Sequence, residues 1–241
     1  SGTEHDDPVL ENALKRLVKY NFMKISVEQA VAHKLINDYR VKLIAVPMTD
    51  VEAIQHKEIA IRLTKARHVS HQVAMMVTGA RMRFIYELRS KLVVMQRFVQ
   101  KSPNRKLIFT SRKEDCNLFT NNIYHSDTDD TALKAFAEGK VNDLVSIKQI
   151  RTGGNFKNFD TIFSSQINNK KSTFMQDLGR LFRLEVDQLG TIYAFYADDT
   201  QDMIWAMNAT KDIPEEKKRI YKYDATLPGG EQIRHILQDT F

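Results

Sequence analysis

The residues best equipped for chemistry stand in the octet Gln176-Asp177-Leu178-Gly179-Arg180-Leu181-Phe182-Arg183. Arg180 and Arg183 are three apart, so on a helix they share one face and their two guanidiniums converge on a single anion. A guanidinium meets phosphate oxygens bidentately and keeps its charge at any working pH, which suits the charge that spreads over a transferring phosphoryl group. Gly179 keeps the surface beside the pair low, and Gln176 is a polar residue at the start of the same predicted helix. Paired arginines also serve as a plain solvated face, and the order of the surrounding segments decides between the two readings.

Two further clusters have anion chemistry. Thr110 and Ser111 end a short apolar strand and are followed by Arg112 and Lys113, so hydroxyls and free N–H groups stand beside cationic side chains. Lys148, Arg151 and Thr152 precede Gly153-Gly154, where absent side chains let a sugar-phosphate backbone approach closely. The competing reading makes Ser111 a helix cap, with Glu114 at capping-box spacing, and Arg112 a solvated charge. His68 and His71 have a spacing that could share a metal, but no carboxylate or third histidine stands at ligand spacing beside them. Asp127, Asp129 and Asp130 lack the turn glycine and closing glutamate of a calcium loop and are expected to cap the helix that follows.

The elements that position these clusters follow from patterning. Asp7-Pro8 opens an amphipathic helix, and Ser26 with Gln29 opens a second through Ala30, Val31 and Leu35. Val41 to Val46 is a strand closed by Pro47. From Asp50 to Lys101 there is no proline and one glycine, Gly79, which predicts two long basic helices meeting near Thr78-Gly79. They offer either a nucleic-acid groove or a solvated face over a packed stripe. Beyond Pro103, short strands at 106–110, 123–125, 144–147, 159–163 and 191–196 are separated mostly by helices, one of them ended by Gly139. Strand-helix alternation of this kind gives a mostly parallel sheet with helices on both faces and ligands at the carboxyl ends of the strands. The tail is expected to carry a helix with Trp205, a charged helix after Pro214 and a turn at Pro228-Gly229-Gly230.

Composition narrows the class. The chain has 241 residues, 42% hydrophobic and 27% charged, with a formal charge of +6, which favours an anionic partner. The single cysteine, Cys116, excludes a disulfide framework or a thiolate metal cluster and fits a reducing compartment, so the cytoplasm is expected. No apolar run reaches the ~20 residues that span a bilayer, and the N-terminus is acidic where a signal peptide would be basic. Ser1-Gly2-Thr3 has the look of a residual tag, which would make the chain a piece of something longer.

Taken together, the motifs resemble those of the second, C-terminal RecA-like motor domain of superfamily-two helicases and translocases, phage-like members included. The strand 107–111 is similar to the fourth motif of that group. Tyr124-His125 with Phe136-Ala137-Glu138-Gly139 looks like the approach to the fifth motif, and Leu144-Val145-Ser146, Arg151 to Asn155 and Phe159-Asp160 resemble the fifth itself. Gln176-x-x-Gly179-Arg180-x-x-Arg183 resembles the sixth, the most specific of the set. Asn155 stands where many relatives have aspartate, and Ser146-Ile147-Lys148 replaces the commoner run after the strand.

The resemblance implies that Arg180 and Arg183 act as arginine fingers, with Gln176 positioning them or sensing the nucleotide, and that Gly153, Asn155 and Gly179 line the nucleotide. It implies that Thr110, Ser111, Arg112, Lys148, Arg151 and Thr152 contact nucleic acid, DNA or RNA, with DNA the more expected of the two. No Gly-x-x-x-x-Gly-Lys-Ser/Thr occurs, so ATP and Mg²⁺ would be held mainly by an N-terminal motor domain outside this chain. The implied organisation is a helical connector at 1–38, a RecA-like domain at 39–212 with the long helical segment 50–101, and a helical tail at 213–241. The rival reading keeps the fold as a nucleic-acid-binding or regulatory module without a motor.

Overall fold

The computed structural model describes residues 27–147, 156, 159–167, 174, 189–227 and 229–241. Among them seven strands form one sheet, every neighbouring pair parallel: β1 Tyr39–Val46, β2 Lys106–Thr110, β3 Ile123–Tyr124, β4 Asp143–Ile147, β5 Thr161–Ser164, β6 Gly190–Ala197 and β7 Lys218–Lys222, in the spatial order 3-4-2-5-6-1-7. The helices are α1 Val27–Ala32, α2 Asp50–Val69, α3 His71–Tyr86, α4 Arg89–Lys101, α5 Thr131–Ala137, α6 Gln201–Ala209 and α7 Gly229–Gln238, with 3₁₀ turns at Lys113–Leu118 and Glu215–Lys217.

Alternation along β1 explains the two layers. Val41, Leu43 and Ala45 join Leu107, Leu144, Ile162, Ile192 and Ala194 in a core that includes Phe136 of α5 and Ala206 of α6. Ile44 and Val46 face the other way, with Phe163 and Phe195, against Val94, Met95 and Phe98 of α4 and Ile233 and Ile236 of α7. Central strands buried on both faces account for the near-continuous apolar runs at β1, β2 and β6. Phe98 lies edge-on to Phe195 at 5.2 Å and is fully buried, so Phe98→Ala would cost about 3–5 kcal/mol.

Two segments differ from the sequence expectation. The stretch 50–101 forms three helices, not two, and the break is at Ser70 rather than at Gly79. Extended backbone at Ser70 stops α2, and the Ser70 hydroxyl accepts the Val73 N–H at 3.2 Å to start α3. Gly79 simply continues the helix, because an interior glycine costs only about 1 kcal/mol and the caps at Ser70 outweigh it. The charged segment after Pro214 is a short turn and then β7, parallel to β1 with Val41 opposite Lys218. Lys and Arg are tolerated there because β7 is an edge strand, where charged side chains reach water and discourage further pairing. Of the expected turn, Gly229 and Gly230 instead open α7, which packs on the sheet, and Pro228 lies outside the described residues.

Gly139 ends α5 with φ +78, the left-handed conformation in which a side chain would be strained. The tail is further fixed by Lys42. Its ammonium, buried within the sheet face, donates to the carbonyls of Ile236 at 2.7 Å and Asp239 at 2.8 Å, so it caps the C-terminus of α7.

Candidate functional site

The carboxyl ends of the central strands meet along one edge of the sheet. Thr110 of β2 is in register with Ile147 of β4, Phe109 with Ser164 of β5, and Val46 of β1 with Ala197 of β6. The chain leaves β4 at Ile147, one residue before Lys148. The edge is therefore where the fourth-motif-like strand ends and where the fifth-motif-like segment departs.

The described candidates are tightly held. Thr110 is buried, and its hydroxyl donates to the Arg112 carbonyl at 3.2 Å. Ser111 Oγ donates to the Tyr86 carbonyl at 3.4 Å, tying the strand end to the last turn of α3. The capping box expected of Ser111 and Glu114 is not formed. Residues 113–118 make a 3₁₀ turn whose N-cap position is Arg112, without a side-chain cap. Arg112 pairs bidentately with Asp115, at 3.0 and 3.1 Å, and approaches Glu87 at 3.4 Å. The hydrogen bonds to Asp115 hold its guanidinium even more firmly protonated than usual. Lys113 pairs with Asp127. Asp129 accepts the Thr131 N–H at 2.9 Å, an Asx turn just before α5, while Asp130 at the N-cap makes no side-chain bond.

Other functional candidates fall outside the described residues: Lys148, Arg151, Thr152, Gly153, Asn155, Gln176, Gly179, Arg180 and Arg183, together with the expected cap at Ser26. Their flanks are core positions. Phe156, next after Asn155, is buried against Phe136 at 5.4 Å and Phe159 at 6.0 Å, and Phe174, two residues before Gln176, is buried in the same cluster.

Sequence reasoning did not reach several residues of this edge. Ser165, fully buried, donates to the Phe109 carbonyl from both its N–H, at 3.1 Å, and its hydroxyl, at 3.3 Å, locking the ends of β5 and β2 together. Gln166 is hydrogen-bonded to the Tyr86 side chain, and the Tyr86 ring lies 5.6 Å from Trp205 of α6. Beneath them Lys91 and Asp202, both without exposure, form an ion pair at 2.7 Å, and Asp202 also accepts the Ala197 N–H at 3.0 Å. Burial pushes the Asp202 carboxyl up, opposed by Lys91 and by the Ala197 N–H. The only available signals were the polar run Ser164-Ser165-Gln166 after an apolar strand and the Thr200–Asp202 start of a helix.

At this edge the Thr110, Ser111 and Ser165 hydroxyls are all donated to backbone carbonyls of the protein itself. No group of three His, Cys, Asp or Glu residues able to hold a metal ion occurs among the described residues, His68 and His71 included. No helix among them is long and apolar enough to cross a membrane.

No protein-family profile matches the chain, and no curated protein matches it in sequence. Its fold is nevertheless shared with solved structures. It is similar to Saccharomyces cerevisiae Dbp5 bound to RNA and ADP BeF3, with 12% identity and a TM-score of 0.60 over 99% of this chain and 54% of that one. It is similar to Dbp5 L327V bound to Gle1 H337R and IP6, at 14% identity and TM-score 0.59, and to the Sulfolobus solfataricus SWI2/SNF2 ATPase core in complex with dsDNA. The last match has 11% identity and a TM-score of 0.57 over 84% of this chain and 50% of that one. The chain thus spans about half the length of the proteins it resembles. Its fold is the RecA-like α/β fold, a mostly parallel sheet with helices on both faces, with extra helices.

Proposed function

We propose that this chain is the C-terminal half of an ATP-dependent nucleic-acid helicase or translocase. The observation that carries the reading is the agreement between motif order and sheet edge. The fourth-motif-like strand ends at Thr110, level with the point where the fifth-motif-like segment leaves β4, in a fold shared with motor proteins solved with nucleotide, RNA or duplex DNA. In this reading residues 1–38 are the connector, 39–212 the RecA-like domain, and 213–241 the tail that completes the sheet with β7 and α7.

Arg180 and Arg183 supply positive charge to the phosphates of ATP held by a second motor domain, and Gln176 positions them. Gly153, Asn155 and Gly179 let the nucleotide approach. Mg²⁺ and the phosphate-cradling loop belong to the other domain, since no such loop occurs in this sequence. Ser111, Lys148, Arg151 and Thr152 contact the sugar-phosphate backbone without reading bases, with DNA favoured over RNA, while Thr110, buried with its hydroxyl on the Arg112 carbonyl, reaches it only by rearrangement. Arg112 joins them only by exchanging Asp115 or Glu87 for a phosphate. The site lies in a cytoplasmic protein.

The test is ATP turnover by this chain alone and by the full protein with nucleic acid present. The chain alone is inactive and the full protein turns over ATP. A full protein without turnover, or without a Walker-bearing domain or partner, supports instead a nucleic-acid-binding module that has kept the fold.

A further inference from the structure

The helices α2 and α3 form an antiparallel hairpin inserted between β1 and α4. A single extended residue, Ser70, joins them, and His56 of α2 meets Arg81 at 3.4 Å and stacks on Phe84 of α3. Among the described residues neither helix packs comparably on any element but the other. At 20 residues, α2 reaches about 30 Å from its base.

That base is tied to the domain by hydrogen bonds and adjoins the sheet edge described above. Glu52 at the start of α2 accepts the Ser90 N–H at 3.0 Å, so the hairpin enters and leaves the domain at one clasp. At its other foot the Tyr86 carbonyl takes the Ser111 hydroxyl, and Glu87 takes Arg112.

From Ile59 round the tip to Arg83 the hairpin carries one sign of charge, with Glu58 just before that stretch. Between Ile59 and Arg83 the sequence has Arg62, Lys65, Arg67, Arg81 and Arg83 and no aspartate or glutamate, with His68 and His71 at the tip. Arg81 is engaged by His56, but Arg62, Lys65, Arg67 and Arg83 are exposed. Among the described residues the only ion pair of these four joins Arg62 to Glu58 at 3.9 Å on an exposed turn, which is worth little. Apolar side chains near the tip, Val69 at 74% and Met76 at 70% exposure, add surface for sugar faces.

We propose that this hairpin is a second nucleic-acid contact: a cationic arm, held fixed beside the strand-end loops, that binds the backbone of the segment flanking the one those loops grip. The inference rests on the nucleic-acid reading above. Its chemistry is phosphate neutralisation by exposed Arg and Lys, independent of sequence and steeply sensitive to salt.

The experiment measures fluorescence anisotropy of labelled 40-base-pair duplex and 40-nucleotide single strand with the full protein across a salt series. Arg62→Gln/Lys65→Gln/Arg67→Gln/Arg83→Gln is compared with Lys148→Ala/Arg151→Ala and with a charge-retaining control in which Arg62, Arg67 and Arg83 become Lys. Circular dichroism checks that each variant keeps its helix content. The Gln variant is expected to bind at least ~10-fold more weakly and to lose up to about 3 from the salt slope, while the Lys control binds as wild type. A Gln variant with wild-type affinity and slope, where Lys148→Ala/Arg151→Ala loses both, overturns the arm and leaves the nucleic-acid reading standing. A wild type that binds neither strand overturns both. A Gln variant that keeps nucleic-acid binding but loses binding to polyglutamate makes the arm a dock for an acidic protein and also overturns the proposal.

Discussion

Glu52 and Ser90 are 38 residues apart in sequence and joined by a 3.0 Å hydrogen bond from the Ser90 N–H to the Glu52 carboxylate. The other carboxylate oxygen accepts the Thr49 N–H at 2.9 Å, while Thr49 Oγ1 accepts the Glu52 N–H at 3.3 Å, a complete capping box. One side chain thus starts α2 and closes the hairpin on α4. Glu52→Ala removes both functions and leaves the Ser90 N–H without its partner, for a cost of about 1–3 kcal/mol in urea denaturation. Burial alone would raise the Glu52 carboxyl, but the hydrogen bonds from Ser90 and Thr49 outweigh it and lower it. The stabilisation is therefore full above the ordinary glutamate value and is lost as pH falls through the depressed folded one. Faster amide exchange along α2 and α3 in the variant, at unchanged exchange in β1, would localise the effect.

The Lys91–Asp202 pair under Tyr86 makes a sharper prediction. Lys91→Met leaves a buried carboxylate unpaired and destabilises by about 3–5 kcal/mol, whereas Lys91→Met with Asp202→Leu recovers much of the loss. With its folded value raised, Asp202 is protonated more readily in the folded state, so the Lys91→Met protein is most stable in acid and weakens as pH rises past the ordinary aspartate value. Denaturation of the three variants across pH checks it. A Lys91→Met protein as stable as wild type at pH 7 would contradict it.

These two ties show what could be read from residues in a row. β1, β2, β4 and β6 were legible because central parallel strands are apolar runs of fixed length, and Gly139 was legible because a helix end asks for a left-handed residue. β7 was not, since Lys218-Arg219-Ile220-Tyr221-Lys222 has an edge strand's charge and not a core strand's pattern. Ser111 and Glu114 have capping-box spacing, yet the hydroxyl goes to Tyr86, 25 residues earlier in sequence, because a 3₁₀ turn follows. The motif-like strand 107–111 ends where β2 meets the sheet edge, while most of the other motif residues lie outside the described residues. The clasp, the buried ion pair and Arg112's carboxylate partners depend on long-range or turn geometry that a linear pattern does not carry.

Lys42 gives a third outcome. Burial lowers its ammonium to about 8, while its N–H groups serve the carbonyls that end α7. The folded protein loses this proton well before the unfolded chain, whose lysine titrates near ~10.4, so this group's penalty is full below about pH 8 and is relieved as pH rises toward the unfolded value. Lys42→Met removes that pH-dependent rise and leaves carbonyls unpaired, for about 1–3 kcal/mol at pH 7. Urea denaturation at pH 7 and pH 9.5 measures both effects. The loss of stability is accompanied by release of the C-terminal segment, seen as early proteolysis after Gln238.

The central claim concerns Arg180 and Arg183, and its most direct measurement is steady-state ATP turnover by the full protein with nucleic acid, for wild type, Arg180→Ala and Arg183→Ala. Each variant should melt like the wild type and lose turnover by ~10³ or more, with Gln176→Ala losing less. Both arginine variants hydrolysing ATP at the wild-type rate would contradict the account.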